Sequence, residues 1–169
     1  MELWDIYDRE GRPTGRTMVR GEPFGEGDLH LVVEIWLIDP RTGRYLLQQR
    51  APQKRSMAGR WGATTGCAQV GEDARTAAVR ELAEELGIET TPDQLLFLRE
   101  IVRPHAIWEV YVLPCTRALG SLALQPEEVS DARWVDRAEL ERMIDRDEMF
   151  FYPELRELSL QAQAAVWRR

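Results

Sequence analysis

Three glutamates define the chemistry open to this chain. Glu81, Glu84 and Glu85 stand at i, i+3 and i+4, positions that a helix gathers within about 100° of one another. The segment that carries them, residues 73–87, has a helix start at Asp73 and a stop at Gly87. Val79, Leu82, Ala83 and Leu86 fall on the opposite stripe, so they are expected to face the core and leave the carboxylates on one exposed face. Like charges at these spacings oppose helix formation, and Arg80 meets Glu84 only in the less favourable order. Crowded carboxylates with few basic partners suit a hard divalent cation such as Mg²⁺, which takes oxygen ligands and shares itself with substrate phosphates. Taken alone, the triplet also describes an ordinary solvated helix face, so the residues around it decide between the two.

Those residues are Gly66, Glu72, Arg80-Glu81-Leu82, Glu84-Glu85 and Gly87-Ile88. In type and spacing, residues 66–88 resemble the Nudix box at every fixed position. The resemblance implies an α/β fold, a Nudix-type α/β/α sandwich with a mixed β-sheet. It implies hydrolysis of a nucleoside diphosphate linked to another moiety, with Mg²⁺ (or Mn²⁺) as cofactor. It also implies roles: Glu81, Glu84 and Glu85 as metal ligands, with the base left open among them, and Arg80 orienting them. Glu72 would either steady the loop or join the metal site. A bound cation offsets phosphate charge and acidifies a water for in-line attack.

The resemblance continues outside the box. Trp4-Asp-Ile-Tyr-Asp8, Gly11–Gly15, His30-Leu-Val-Val33, Gln49-Arg50, Lys54, Trp61, Glu127-Glu128-Val129 and Arg133-Trp134-Val135 are similar to the isopentenyl-diphosphate isomerase branch and its hydrolase-like relatives. By that similarity Arg50 and Lys54 match diphosphate-binding positions, His30 a metal-site histidine, and Glu109 an acid or metal-site glutamate. Each also has a plain reading: solvated bases, a hydrogen-bonded wall histidine, a paired carboxylate. Trp61 and Trp108 would stack on a base or prenyl group, or fill the core. Glu127 and Glu128 would approach the site or stay on the surface. The isomerase's cysteine position falls on Thr65, its following histidine on Cys67, and its early metal histidine near Pro23. His30 and His105 are the only histidines, too few for a three-histidine metal site. An isomerase-like hydrolase is therefore expected. The isomerase itself is the alternative, and a non-catalytic diphosphate-binding module is a third reading.

The elements that must hold these residues follow from pattern. Residues 2–20 read as a hairpin, with a turn over 8–15 and a return strand over 16–20. Residues 30–39 read as a strand covered on both faces, and 45–50 as its hairpin partner. A short strand over 61–65 enters the Gly66 loop. Strands at 95–102, 107–113 and 132–135 precede helices from Asp136 and Pro153, the last with Leu155, Leu158, Ala162 and Val166 on one stripe. This order predicts a mixed sheet between helices, with residues 1–169 as one domain. The net charge of −7 disfavours stable nucleic-acid binding but not a small-molecule diphosphate. Two cysteines, no apolar run of about 18 residues and no secretory pattern at the start predict a reduced, cytoplasmic setting without a membrane. The hairpin and the last helix each offer a surface for a homodimer.

Overall fold

A computed structural model of the chain describes residues 2–168; Met1 and Arg169 of the expected 1–169 domain lie outside the described residues. Its spine is β3, His30–Ile38, in which every residue from Leu31 to Ile38 is buried. Side chains of a strand alternate between faces, and here the two faces meet different helices. Val33, Ile35 and Leu37 join Ala77, Ala78, Leu82 and Leu86 of α1, Ala74–Leu86. Trp36 and Ile38 join Leu140 and Met143 of α2, Arg137–Asp145, and Leu155, Leu158 and Ala162 of α3, Leu155–Trp167. A strand with helices on both sides has no wet face, so its hydrophobicity is continuous. The result is the expected α/β/α sandwich.

The sheet is mixed because β3 runs parallel to β8, Ala106–Pro114, and antiparallel to its other neighbours. Beyond β8 lies β7, Leu96–Arg103, at the edge. On the other side the expected hairpin with β4, Tyr45–Arg50, is barely one: only Leu37↔Leu46 and Ile38↔Tyr45 pair. The strands then part and recruit different partners. Strand β3 takes β6, Thr64–Cys67, while β4 takes β5, Trp61–Gly62, and β9, Val129–Val135. Gly66 and Cys67, read from sequence as loop, are thus paired with Val33 and Val32 as strand.

The first hairpin also differs in detail. It joins β1, Leu3–Tyr7, to β2, Pro13–Val19, so the return strand starts three residues earlier than expected. The turn is tightened by Asp8, whose Oδ1 accepts from the Glu10 and Arg12 amides at 3.0 and 2.9 Å. Among the described residues no helix is long and apolar enough to cross a membrane.

Candidate active site

Helix α1 begins and ends as its sequence requires. The Asp73 side chain accepts from the Thr76 amide at 2.7 Å, and Gly87 closes the helix at φ 66°. Its buried face, however, is rotated from the expected stripe. Ala74, Ala77 and Ala78 lie against the sheet with Leu82 and Leu86, while Ala83 is exposed and Val79 half-buried. Small residues at 74, 77 and 78 give the sheet a surface it can approach closely. The rotation turns two of the three carboxylates inward. Glu84 keeps 51 % of its side chain exposed, but Glu81 keeps 12 %, and Glu85 is buried. The single exposed acidic face expected from the helical wheel is therefore corrected: Glu81 and Glu85 point into a cleft.

The space for Glu81 is made by a missing side chain. A Cβ on Gly66 would stand 2.0 Å from Glu81 Cδ. Arg80 ties the surrounding groups together. Its Nε and Nη2 donate to the two Glu72 oxygens at 2.8 and 2.9 Å, and Nη2 also reaches the Cys67 carbonyl at 2.9 Å. Its Nη1 donates to Glu81 at 2.9 Å and Glu84 at 3.1 Å. Glu72 in turn accepts from the Gln69 amide at 2.9 Å, so it braces the turn before α1 and does not line the cleft. Glu85 Oε2 accepts from Gln48 Nε2 at 2.6 Å, and Gln48 Oε1 accepts from Thr64 Oγ1 at 2.8 Å. One amide thus links β4, β6 and α1.

The electrostatics follow from burial. Desolvation pushes Glu81 up to about 7 against the pull of Arg80. It pushes Glu85 up to about 8 against its bond from Gln48. Burial works against the charge of Arg80, but Glu72 and Glu81 outweigh it and hold the guanidinium firmly protonated. Burial also opposes the Glu72 charge, and Arg80 with the Gln69 amide overcomes it, lowering that carboxyl. Among the described residues, no group of three or more acidic, histidine or cysteine side chains is drawn into a finished cation cage, since Arg80 and Gln48 hold the glutamates. The donors nonetheless fit an oxygen-seeking divalent ion: carboxylates at a cleft wall, two of them desolvated, held by Arg80 and Gln48.

The cleft, about 270 Å³, opens where β3 and β4 part. Glu81, Glu84, Glu85 and Arg80 line it, as do Arg50 and Trp61. Arg50 donates from Nε to the Ser56 carbonyl at 2.8 Å, and Trp61 lies under the Arg133 guanidinium at 4.3 Å. Three residues expected here are elsewhere. Lys54 does not line the cleft; its Nζ bonds Glu128 at 2.6 Å, and Glu128 is the one that faces inward. His30 neither lines the cleft nor meets a carboxylate. It donates to the His105 carbonyl at 2.6 Å and stacks 4.4 Å from Trp4, closing the hairpin onto the sheet. Glu109 alternates to the α1 face of β8 and takes the Tyr111 hydroxyl, because its neighbour Trp108 takes the cleft face. Glu127 is exposed outside the cleft. Cys67 lines it, but burial pushes its thiol up to about 12, which leaves no thiolate nucleophile.

Sequence reasoning missed Gln48, Arg20, Phe150, Tyr152 and Glu34, all cleft-lining. Glu34 had a signal: it is the only carboxylate in a nine-residue buried strand, where an unpaired charge is costly. Burial pushes its pKa up to about 7, against bonds from Tyr152 and Trp36.

A mixed sheet between helices thus sets the glutamate-bearing helix beside a cleft that Arg20, Arg50 and Arg80 also line. Residues 28–155 match the family model described as NUDIX domain, and the chain belongs to the Nudix family as a Nudix hydrolase. It is 33% identical over 153 residues to an uncharacterized Nudix hydrolase of Listeria monocytogenes, covering 90% of each chain. It is 30% identical over 154 residues to an isopentenyl-diphosphate Delta-isomerase of Shigella flexneri, covering 88% of this chain and 84% of that one. Its fold matches a crystal structure from Deinococcus radiodurans with a TM-score of 0.76 at 22% identity, covering 95% and 99% of the two chains. Diphosphate hydrolysis is the activity this family supports, generally with a divalent ion such as Mg²⁺ or Mn²⁺.

Proposed function

We propose that this chain is a divalent-cation-dependent hydrolase of the diphosphate linkage in a nucleoside diphosphate derivative or a related small molecule. The observation that carries the reading is the pair of desolvated cleft carboxylates, Glu81 and Glu85, beside Glu84. Glu81, Glu84 and Glu85 would hold Mg²⁺ or Mn²⁺. The ion, when bound, offsets phosphate charge and acidifies a water. Arg80 positions Glu81 and Glu84 through its guanidinium and is braced by Glu72. Arg50 and Arg20 line the cleft and bind and orient the diphosphate oxygens. The proton of the attacking water passes to one of the three carboxylates. The isomerase chemistry is disfavoured because its cysteine position carries Thr65, which has no thiol, and burial raises the thiol of Cys67. Two free cysteines fit a reducing cytoplasm, and residues 1–169 would act as one domain.

The test is a phosphate-release screen over nucleotide and sugar-diphosphate substrates with Mg²⁺ and Mn²⁺. Glu85→Gln and Glu84→Gln are each expected to lower kcat by roughly 10²–10⁴-fold on the substrate found. Full activity in both variants would sink the assignment, and isomerised product from isopentenyl diphosphate would replace it with the other chemistry.

A further inference from the structure

The three cleft glutamates share a pattern that Arg80 accounts for in only two of them. Glu81 Oε1 and Glu84 Oε2 accept from Arg80 Nη1 at 2.9 and 3.1 Å, and Glu85 Oε2 accepts from Gln48 Nε2 at 2.6 Å. Each carboxylate is thus held by a single oxygen. Among the described residues the other oxygen of each meets no donor, yet none of these open oxygens is sealed from solvent. All three residues line the cleft.

The two clamps differ in charge. Arg80 is cationic and divides its charge between the cleft and Glu72, at 2.8 and 2.9 Å. A second base at position 48 would cancel charge that draws a cation, whereas an amide holds Glu85 without doing so. The Gln48 backbone is fixed between Gly62 of β5 and Ala132 of β9. Which end of its amide meets Glu85 is set from behind. An ionised carboxylate only accepts, so it takes the N–H₂. The amide oxygen then turns to Thr64, whose Oγ1 donates to it at 2.8 Å. Thr64 is 2 % exposed, pairs with Ile35 in the β3–β6 ladder and does not line the cleft. Without that hydroxyl the amide oxygen would face carbon, a costly state for a buried acceptor, and the amide would turn away from Glu85.

We infer that Gln48 is a positioning residue for the cation site: keyed by Thr64, it holds Glu85 through Oε2 alone and leaves Oε1 for the divalent ion. It is the uncharged counterpart of Arg80, which holds Glu81 and Glu84 in the same one-oxygen manner. Thr64 thereby controls cation affinity without touching a glutamate or the cleft. This role rests on Glu81, Glu84 and Glu85 being the cation site proposed above.

The experiment is a titration of the full chain with Mn²⁺ alone, read by loss of the electron paramagnetic resonance signal of the free ion, with no substrate present. Gln48→Met keeps the length of the side chain and removes its hydrogen bonds; it is expected to weaken Mn²⁺ binding about 10–100-fold. Thr64→Val keeps the shape and leaves every glutamate contact in place, and a loss of about tenfold is expected. Thr64→Ser, which keeps the hydroxyl, should bind nearly as the unaltered chain does. Loss of stability alone would lower the Tm of these variants and leave the Mn²⁺ affinity of the folded protein unchanged. Unaltered affinity in Gln48→Met or in Thr64→Val would overturn the proposal, and so would a Thr64→Ser chain that binds as weakly as Thr64→Val. If Gln48→Met does not fold, the two Thr64 variants decide. Glu84→Gln separates the two levels of inference. Binding that Glu84→Gln abolishes and the Gln48 and Thr64 variants leave intact would sink the role of Gln48 alone. No binding by the unaltered chain, or binding that Glu84→Gln leaves intact, would sink the cation site and this role with it.

Discussion

At the scale of single residues, the site is built as much by what Gly66 lacks as by what the glutamates bring. A methyl group there would overlap the Glu81 carboxyl, since the added Cβ falls 2.0 Å from its Cδ. Gly66 is in strand, with no positive φ, so Gly66→Ala tests space and not backbone freedom. It is expected to displace Glu81, cost about 1–3 kcal/mol of stability, and remove most turnover while the fold survives. Thermal melting and phosphate release on the same preparation check both halves; normal turnover would show that Glu81 needs no fixed position. Residues 66–88 were legible in sequence because their spacing is local: one strand end, one turn, one helix. Gln48 and Glu34 were not, because their meaning depends on partners far along the chain. Gln48 meets Glu85, and Glu34 meets Tyr152. Lys54 and His30 had the right residue types but lie outside the cleft, held by Glu128 and His105.

At the scale of elements, caps were readable and pairings less so. Asp73, Gly87 and Asp136 each end or begin a helix where their chemistry predicts, since a cap answers to its own helix. The β3–β4 hairpin was misjudged because strand pairing is a competition that distant strands enter; β6 and β9 win the remaining edges. The Gly87 cap also has a tertiary task. Beyond it, the Ala123 and Gln125 amides donate to the Leu86 and Glu85 carbonyls at 3.0 and 3.1 Å, docking the loop before Glu128 onto the helix end. Gly87 stands at φ 66°, and a Cβ there would lie 2.7 Å from Ala123 Cβ. Gly87→Ala is expected to cost about 1–3 kcal/mol, from left-handed strain and the displaced loop, measured as a lower midpoint in urea. An unchanged midpoint would mean that the loop is not held by the helix end.

For the whole molecule, buried carboxylates link stability to pH. Glu34 and Glu81 titrate near 7 and Glu85 near 8, against 4.5 for an ordinary glutamate. The folded chain therefore keeps protons that the unfolded chain has lost, and stability falls as pH rises through this window. His30, lowered from 6.5 by burial, acts in the opposite sense below about that pH. Between pH 6.5 and 8 the glutamates dominate, so the Tm in chelator is expected to drop across that range. Mg²⁺ added at pH 8 should recover it by favouring the ionised carboxylates. A Tm that stays flat or climbs in chelator would contradict the buried, proton-holding site.

The parting of β3 and β4 has a consequence for how such a molecule changes over generations. Thr64–Cys67, which faces the glutamate helix, hangs on the β3 ladder; Gln48 and Trp61 hang on the β4 ladder with β5 and β9. Among the described residues, β3 and β4 pair only at Leu37↔Leu46 and Ile38↔Tyr45. Loop 51–60 belongs to the second ladder alone, so its length and side chains are free to drift without disturbing the register that holds Gly66 beneath Glu81. A seam of this kind lets that loop change while the β3 ladder keeps its register, and Gln48, bonded to both Glu85 and Thr64, is the β4 residue that must stay.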